Sequence, residues 1–126
     1  MAVRAGLSAI AKMVVTESDT ATALSTGDVP VLATPRVVTL AEEATVQAVA
    51  ADLEAGTTTV GYRVQLDHLA PTAVGGQVHA EAILETVEGR RLTFRVSVSD
   101  GRGLVAAGRI TRVVVERDRF LDKAGT

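Results

Sequence analysis

The stretch TPRVVTLAEEATVQAVAADLEAGTTTVGYRVQLD, residues 34–67, changes its apolar period once, and that change decides the fold. Up to Leu53 the apolar residues recur at helical spacing, and from Thr57 they alternate. The pattern predicts a helix over about 35–53, with Thr34 as N-cap and Pro35 at the first helical position, where its missing N–H is unwanted anyway. Val37, Leu40, Ala41, Ala44 and Ala48 form a stripe of mostly small residues suited to lying close against a sheet. A second stripe, Val38, Glu42, Val46 and Val49, carries Glu42 along an apolar side of the helix, whereas Glu43 shares its face with Thr39 and Gln47. Of two adjacent carboxylates, one is expected to be partly buried and the other solvated.

Working outward, residues 57–67 read as a half-buried strand with Val60, Tyr62, Val64 and Leu66 on one face. After the turn-rich HLAPTAVGG (68–76), residues 77–88 give a second strand, and Gly89 with Arg90 connects it to LTFRVSVS (92–99), whose alternation is unbroken. Asp100-Gly101 is a hairpin signal, and residues 103–117 form the next strand, with Val113, Val114 and Val115 expected to be covered on both faces. Residues 4–15 supply one more strand. The sum is an α+β chain: about five antiparallel strands wrapped around one long central helix, in a single domain over 1–126.

Composition narrows the function. The chain has 126 residues, enough for one core, and its two Phe and one Tyr leave that core to aliphatic side chains. A net charge of −2 with so few aromatics gives neither the electrostatic footprint nor the stacking platforms of a nucleic-acid binder. With no cysteine, disulfides, thiolate metal sites and a Cys nucleophile are all excluded. No His/Asp/Glu spacing predicts a metal site, and no glycine motif predicts a phosphate cradle. Arg4 and Lys12 interrupt the N-terminal MAVRAGLSAIAKMVV, no stretch reaches the roughly 20 apolar residues of a membrane span, and a cytoplasmic location is the expectation.

The candidates for chemistry are few. Of two histidines, His68 leaves a strand into a loop, where sites concentrate, whereas His79 lies within a strand and reads as structural. Glu42 is placed among apolar neighbours that disfavour the charged carboxylate, which suits a general base or nucleophile. Thr34 sits beside the free N–H groups of a helix start, which favour developing negative charge. Gly75 and Gly76 make a turn or admit a ligand closely. Arg36, Arg63, Arg90 and Arg91 are dispersed and read as solvated surface.

With these residues in view, the chain resembles the fluoroacetyl-CoA thioesterase-like family of hot-dog proteins. The resemblance is carried by VLATPRVVTLAEEA (31–44), VGYRVQLDHLAPTAVGG (60–76) and VEGRRLTFRVSVSDG (87–101). It implies a hot-dog fold, a thioester hydrolase with Thr34, Glu42 and His68 as catalytic residues, and Gly61 approaching the acyl group. Glu42 would activate water or attack the carbonyl, assisted by Thr34 and His68. The resemblance also implies a homodimer and no cofactor, coenzyme A being part of the substrate. The family's phenylalanines ahead of the catalytic threonine have no counterpart in DTATALSTGDVPVLA (19–33), which leaves a different or longer acyl group, or a carrier-protein thioester, open as substrate. A non-catalytic acyl-CoA-binding module on the same fold is the alternative, and hydratase chemistry is less favoured because its Asp and His signature is missing.

Overall fold

A computed structural model describes residues 3–126. Five strands, β1 (Ser8–Val14), β2 (Thr57–His68), β3 (Gln77–Glu88), β4 (Arg91–Asp100) and β5 (Gly103–Glu116), form one antiparallel sheet in the order β1-β3-β4-β5-β2. The helix α1 (Thr34–Val49) lies against its concave face, mainly over β1 and β3, and a short helix α2 (Arg117–Lys123) follows β5. This is the expected hot-dog outline, with α2 as an addition that the sequence pattern had not signalled.

The alternation in β4 has the predicted consequence: Leu92, Phe94, Val96 and Val98 are each at most 1 % exposed. They face the small-residue stripe of α1, whose Val37, Leu40, Ala41, Ala44 and Ala48 are all buried. Alanines there let the helix lie close to the strands, over a mostly aliphatic core. Phe94 is the core's one aromatic, and truncating it to Ala would cost about 3–5 kcal/mol.

Three details of the helix and of β2 depart from the sequence reading. The helix ends at Val49 and continues only as a short 3-10 turn over Ala50–Asp52, rather than running to Leu53. Its N-cap is Ala33, not Thr34, with no side-chain cap bond, so Pro35 is the second helical residue. Thr34 therefore keeps its hydroxyl free for another partner. The third departure concerns β2, where the register against β5 shifts between Gly61 and Arg63 because Tyr62 is an extra, bulged residue. Before the bulge Gly61 pairs with inward-facing Arg112, and after it Val64 pairs with buried Ile110 and His68 with buried Ala106. The strand's inward set is thus Thr59, Gly61, Val64, Leu66 and His68, not the unbroken alternation through Tyr62. Tyr62 instead turns to the outer face, where the Arg91 guanidinium stacks 4.7 Å from its ring centre.

β2 is also an edge strand, and from Gly61 to Gln65 it is exposed. Strands β2 and β5 approach so closely at Gly108 that a β-carbon there would lie within 1.9 Å of the Gln65 carbonyl oxygen. Only glycine fits that crossing. The three valines at the end of β5 are partly covered rather than sealed on both sides.

Candidate active site

Two clusters stand on the inward face of β2, one at each end of its exposed half. The first joins the start of α1 to the end of β2. Thr34 Oγ1 lies 2.8 Å from His68 Nδ1. The contact exists because the N-cap role passed to Ala33, leaving the Thr34 hydroxyl to cross to β2. With Nδ1 as acceptor, the hydroxyl donates and the ring carries its proton on Nε2, an atom that is buried with no hydrogen-bond partner. The Thr34 N–H, in the first turn of α1, has no intrahelical partner and lies at the positive end of the helix dipole.

The second cluster is built on Glu42. Its carboxylate does not rest among apolar side chains as the helical stripe suggested; Arg112 Nη1 donates to Oε2 at 2.9 Å. Arg112 is only 6 % exposed, and its remaining donors go to Thr59, Nε to the hydroxyl at 2.9 Å and Nη2 to the carbonyl at 3.0 Å. Burial pulls the guanidinium below its ordinary value, while the Glu42 charge and hydrogen bond push it back up. Gly61 completes the cluster. A β-carbon at Gly61 would stand 2.7 Å from Glu42 Oε2 and 3.7 Å from Arg112 Nη1, so the carboxylate occupies the space glycine leaves.

Arg112 is the site residue that the sequence reading missed. The signal was present, since in RITRVVV it falls in the same phase as Ile110 and Val114, an arginine on the inward face of a strand.

The two clusters do not meet within one chain. Thr34 and Glu42 are eight residues apart on α1, a rise of about 12 Å. On β2 between the two clusters Val64 is uncovered at 39 % exposure, and Val46, one turn beyond Glu42 on α1, is 43 % exposed.

The other predicted residues fall elsewhere. Gly75, at φ 91°, makes the turn between β2 and β3, and its N–H and the Gly76 carbonyl bond to Val15. A β-carbon at Gly76 would stand 2.6 Å from the Thr72 methyl, so this glycine makes room for Thr72. Both shape the loop that follows His68. His79 is exposed on the outer face of β3. Arg36 pairs with Asp19 at 3.1 Å; burial raises the Asp19 carboxyl, but bonds from Thr16 and Arg36 outweigh it and hold it below its ordinary value. The segment 19–33 packs through Leu32 and Ala33, with Leu24 and Val29 exposed. Among the described residues no cluster of His, Asp or Glu could hold a metal, and no helix is long and apolar enough to cross a membrane.

The chain is similar in sequence and fold to known proteins. The curated fluoroacetyl-CoA thioesterase of Streptantibioticus cattleyicolor is 40 % identical over 90 residues, which span 71 % of this chain and 65 %, just under two thirds, of that protein. A solved structure of the fluoroacetyl-CoA thioesterase FlK superposes with a TM-score of 0.92 at 33 % identity, covering 98 % of this chain and 96 % of FlK. A Thermus thermophilus hypothetical protein, described as a thioesterase superfamily member, superposes with a TM-score of 0.88 at 30 % identity over 95 % of this chain and 89 % of its own. Residues 15–118 match the family described as fluoroacetyl-CoA-specific thioesterase, and the chain belongs to that family.

Proposed function

We propose that the protein hydrolyses an acyl-CoA thioester to free acid and CoA, in a site assembled between two copies of the chain. The observation that carries this reading is the preformed Thr34–His68 contact, a hydroxyl held at hydrogen-bond distance from an imidazole acceptor. Family membership supports the reaction class, and a point mutant of FlK has been captured with fluoroacetate and CoA.

In the first step Thr34 Oγ1 attacks the thioester carbonyl carbon as its proton passes to His68 Nδ1. The C–S bond then breaks, and the CoA thiolate leaves with the proton from His68. Water, deprotonated by His68, releases the acid and restores Thr34. The Thr34 N–H at the helix start is placed to meet the oxyanion.

Glu42 enters from a second subunit. Antiparallel pairing of β2 with its copy, centred on Val64, brings the Gly61 end of one strand beside the His68 end of the other. It also satisfies an exposed edge strand and covers Val64. Glu42 and Arg112 of the partner subunit would then form the wall facing Thr34 and His68, with Gly61 admitting the acyl group. A second reading keeps Glu42 as the base or nucleophile, with Thr34 and His68 assisting; it is favoured by the one-third exposure of the Glu42 side chain over Gly61. The absence of aromatics in residues 19–33 supports an acyl group other than fluoroacetyl, or a carrier-protein thioester.

Free-thiol release is measured from a panel of short, long and aromatic acyl-CoA esters with wild type, Thr34→Ala and Glu42→Gln. Turnover lost only in Thr34→Ala supports the hydroxyl as nucleophile, and loss confined to Glu42→Gln supports the carboxylate. Where both variants are inactive, their mixed dimers should regain activity if the site is shared. Thermal stabilisation by an ester without any thiol release would turn the reading to an acyl-CoA-binding module.

A further inference from the structure

Beyond the two clusters, one part-buried polar contact anchors the loop that joins the segments carrying Thr34 and His68. Thr72 lies in the loop after β2 and is 5 % exposed. Its hydroxyl donates to Asp100 Oδ2 at 2.7 Å, across to the end of β4. The other oxygen of Asp100 accepts the Arg102 N–H at 2.8 Å, which closes the β4–β5 turn. The carboxylate therefore sits on a hairpin turn whose strands, β4 and β5, continue into the core.

From this anchor Thr72 reaches both partners. Its carbonyl accepts the Leu32 N–H at 2.9 Å, two residues before Thr34, and the next residue, Ala73, bridges to Val31. Leu32 and Ala33 are each 1 % exposed, so their backbone transmits that position directly to the first helical residue. On the other side, the chain between His68 and Thr72 is pinned by the Leu69 N–H donating to the Val105 carbonyl at 2.7 Å, and the Ala70 N–H to the same oxygen at 3.2 Å. Gly76 leaves the room that the Thr72 methyl needs, so the side chain has one seat.

We infer that Thr72 and Asp100 are positioning residues that set the Thr34–His68 contact. Neither reaches the reacting atoms; they act through the backbone at Leu32 and at Leu69–Ala70. The inference rests on the proposed reaction for its kinetic consequence but not for its geometric one. Without the hydroxyl, the loop loses its tie to the β4–β5 turn, and the two halves of the pair become free to drift by a fraction of an ångström, which is costly in a nucleophile–base contact. Thr72→Ser keeps the donor, and Thr72→Val keeps the shape while losing it.

The test reads His68 directly. Nitrogen NMR of the imidazole in the full-length protein reports the tautomer and whether Nδ1 accepts a bond, and free-thiol release gives kcat and KM on the same samples. The expectation is that Thr72→Val shifts the His68 Nδ1 resonance and lowers kcat about tenfold or more with KM changed far less, while Thr72→Ser restores both. Asp100→Asn, on a partly exposed turn, supplies a second variant should Thr72→Val fold poorly, and it should shift the same resonance. A His68 spectrum and kcat unchanged in both Thr72→Val and Asp100→Asn would overturn the inference. If wild type cleaves no thioester, the proposed reaction falls, yet the His68 resonance still decides whether Thr72 and Asp100 position the pair.

Discussion

Glu42 Oε2 occupies the space above Gly61, 2.7 Å from where a β-carbon would stand, and it is held there by Arg112 Nη1 at 2.9 Å. A helix residue and a strand residue therefore share one volume, and the carboxylate's position depends on a missing side chain in another element.

Gly61→Ala separates that dependence from stability. The atom displaced is the free end of a flexible side chain, so unfolding in urea should move by less than about 1 kcal/mol. Turnover should fall about tenfold or more, because the carboxylate must leave its seat. A variant with full kcat would show that the location of Glu42 is immaterial to the reaction.

Arg112 should matter to both. Arg112→Met removes three charge-assisted hydrogen bonds and leaves the Thr59 carbonyl and the Glu42 carboxylate without their donor. A loss of about 2 kcal/mol is expected from chemical denaturation, at the lower end for a buried pair because Glu42 is one-third exposed and water screens it. Adding Glu42→Gln to Arg112→Met should recover part of that loss, since the uncompensated charge is gone.

Gly108→Ala is expected to damage the fold itself. Its β-carbon would meet the Gln65 backbone, which has no rotamer to change, so β2 must detach from β5 locally. A destabilisation of about 3 kcal/mol or more, with loss of protected amides in β2 by hydrogen exchange, is the expected result.

Acid should loosen the loop behind His68. The Thr72 hydroxyl bond, followed by the Arg102 N–H, holds the Asp100 carboxyl below its ordinary 3.8, with burial partly opposing them. A carboxyl depressed in the folded state adds stability that is present above pH 3.8 and is lost as pH falls through the lower folded value. Asp19 is depressed likewise and contributes in the same window. In Asp100→Asn the part of the acid destabilisation below about pH 4 that belongs to Asp100 should vanish, which a pH series of thermal melts would show.

The sequence exposed much of this and hid a specific remainder. The helix, its buried stripe and the alternation of β4 were legible because each is a local period, repeated often enough to be read. Gly61, Glu42, Thr34 and His68 were each visible as residues, yet their grouping was not. That Thr34 pairs with His68 depends on the cap falling one residue earlier, on Ala33, a shift that residue preferences at helix starts disfavour. That Glu42 pairs with Arg112 depends on a contact between residues 42 and 112, which no local window contains. Arg112 itself could have been found as a charge in an inward phase.

The bulge at Tyr62 was the costliest omission, since a strand read without it assigns half its faces wrongly. Positions 61 and 68 differ by an odd number, so in an uninterrupted strand they would point to opposite sides. Their agreement is a matter of counting, not of chemistry. A substitution at Tyr62 keeps the strand's length and leaves both clusters on one face, whereas removing that one residue would keep every candidate side chain in the polypeptide and still turn one cluster to the opposite face. Length at this point in the strand is thus as strict a requirement as any of the side chains it brings into phase.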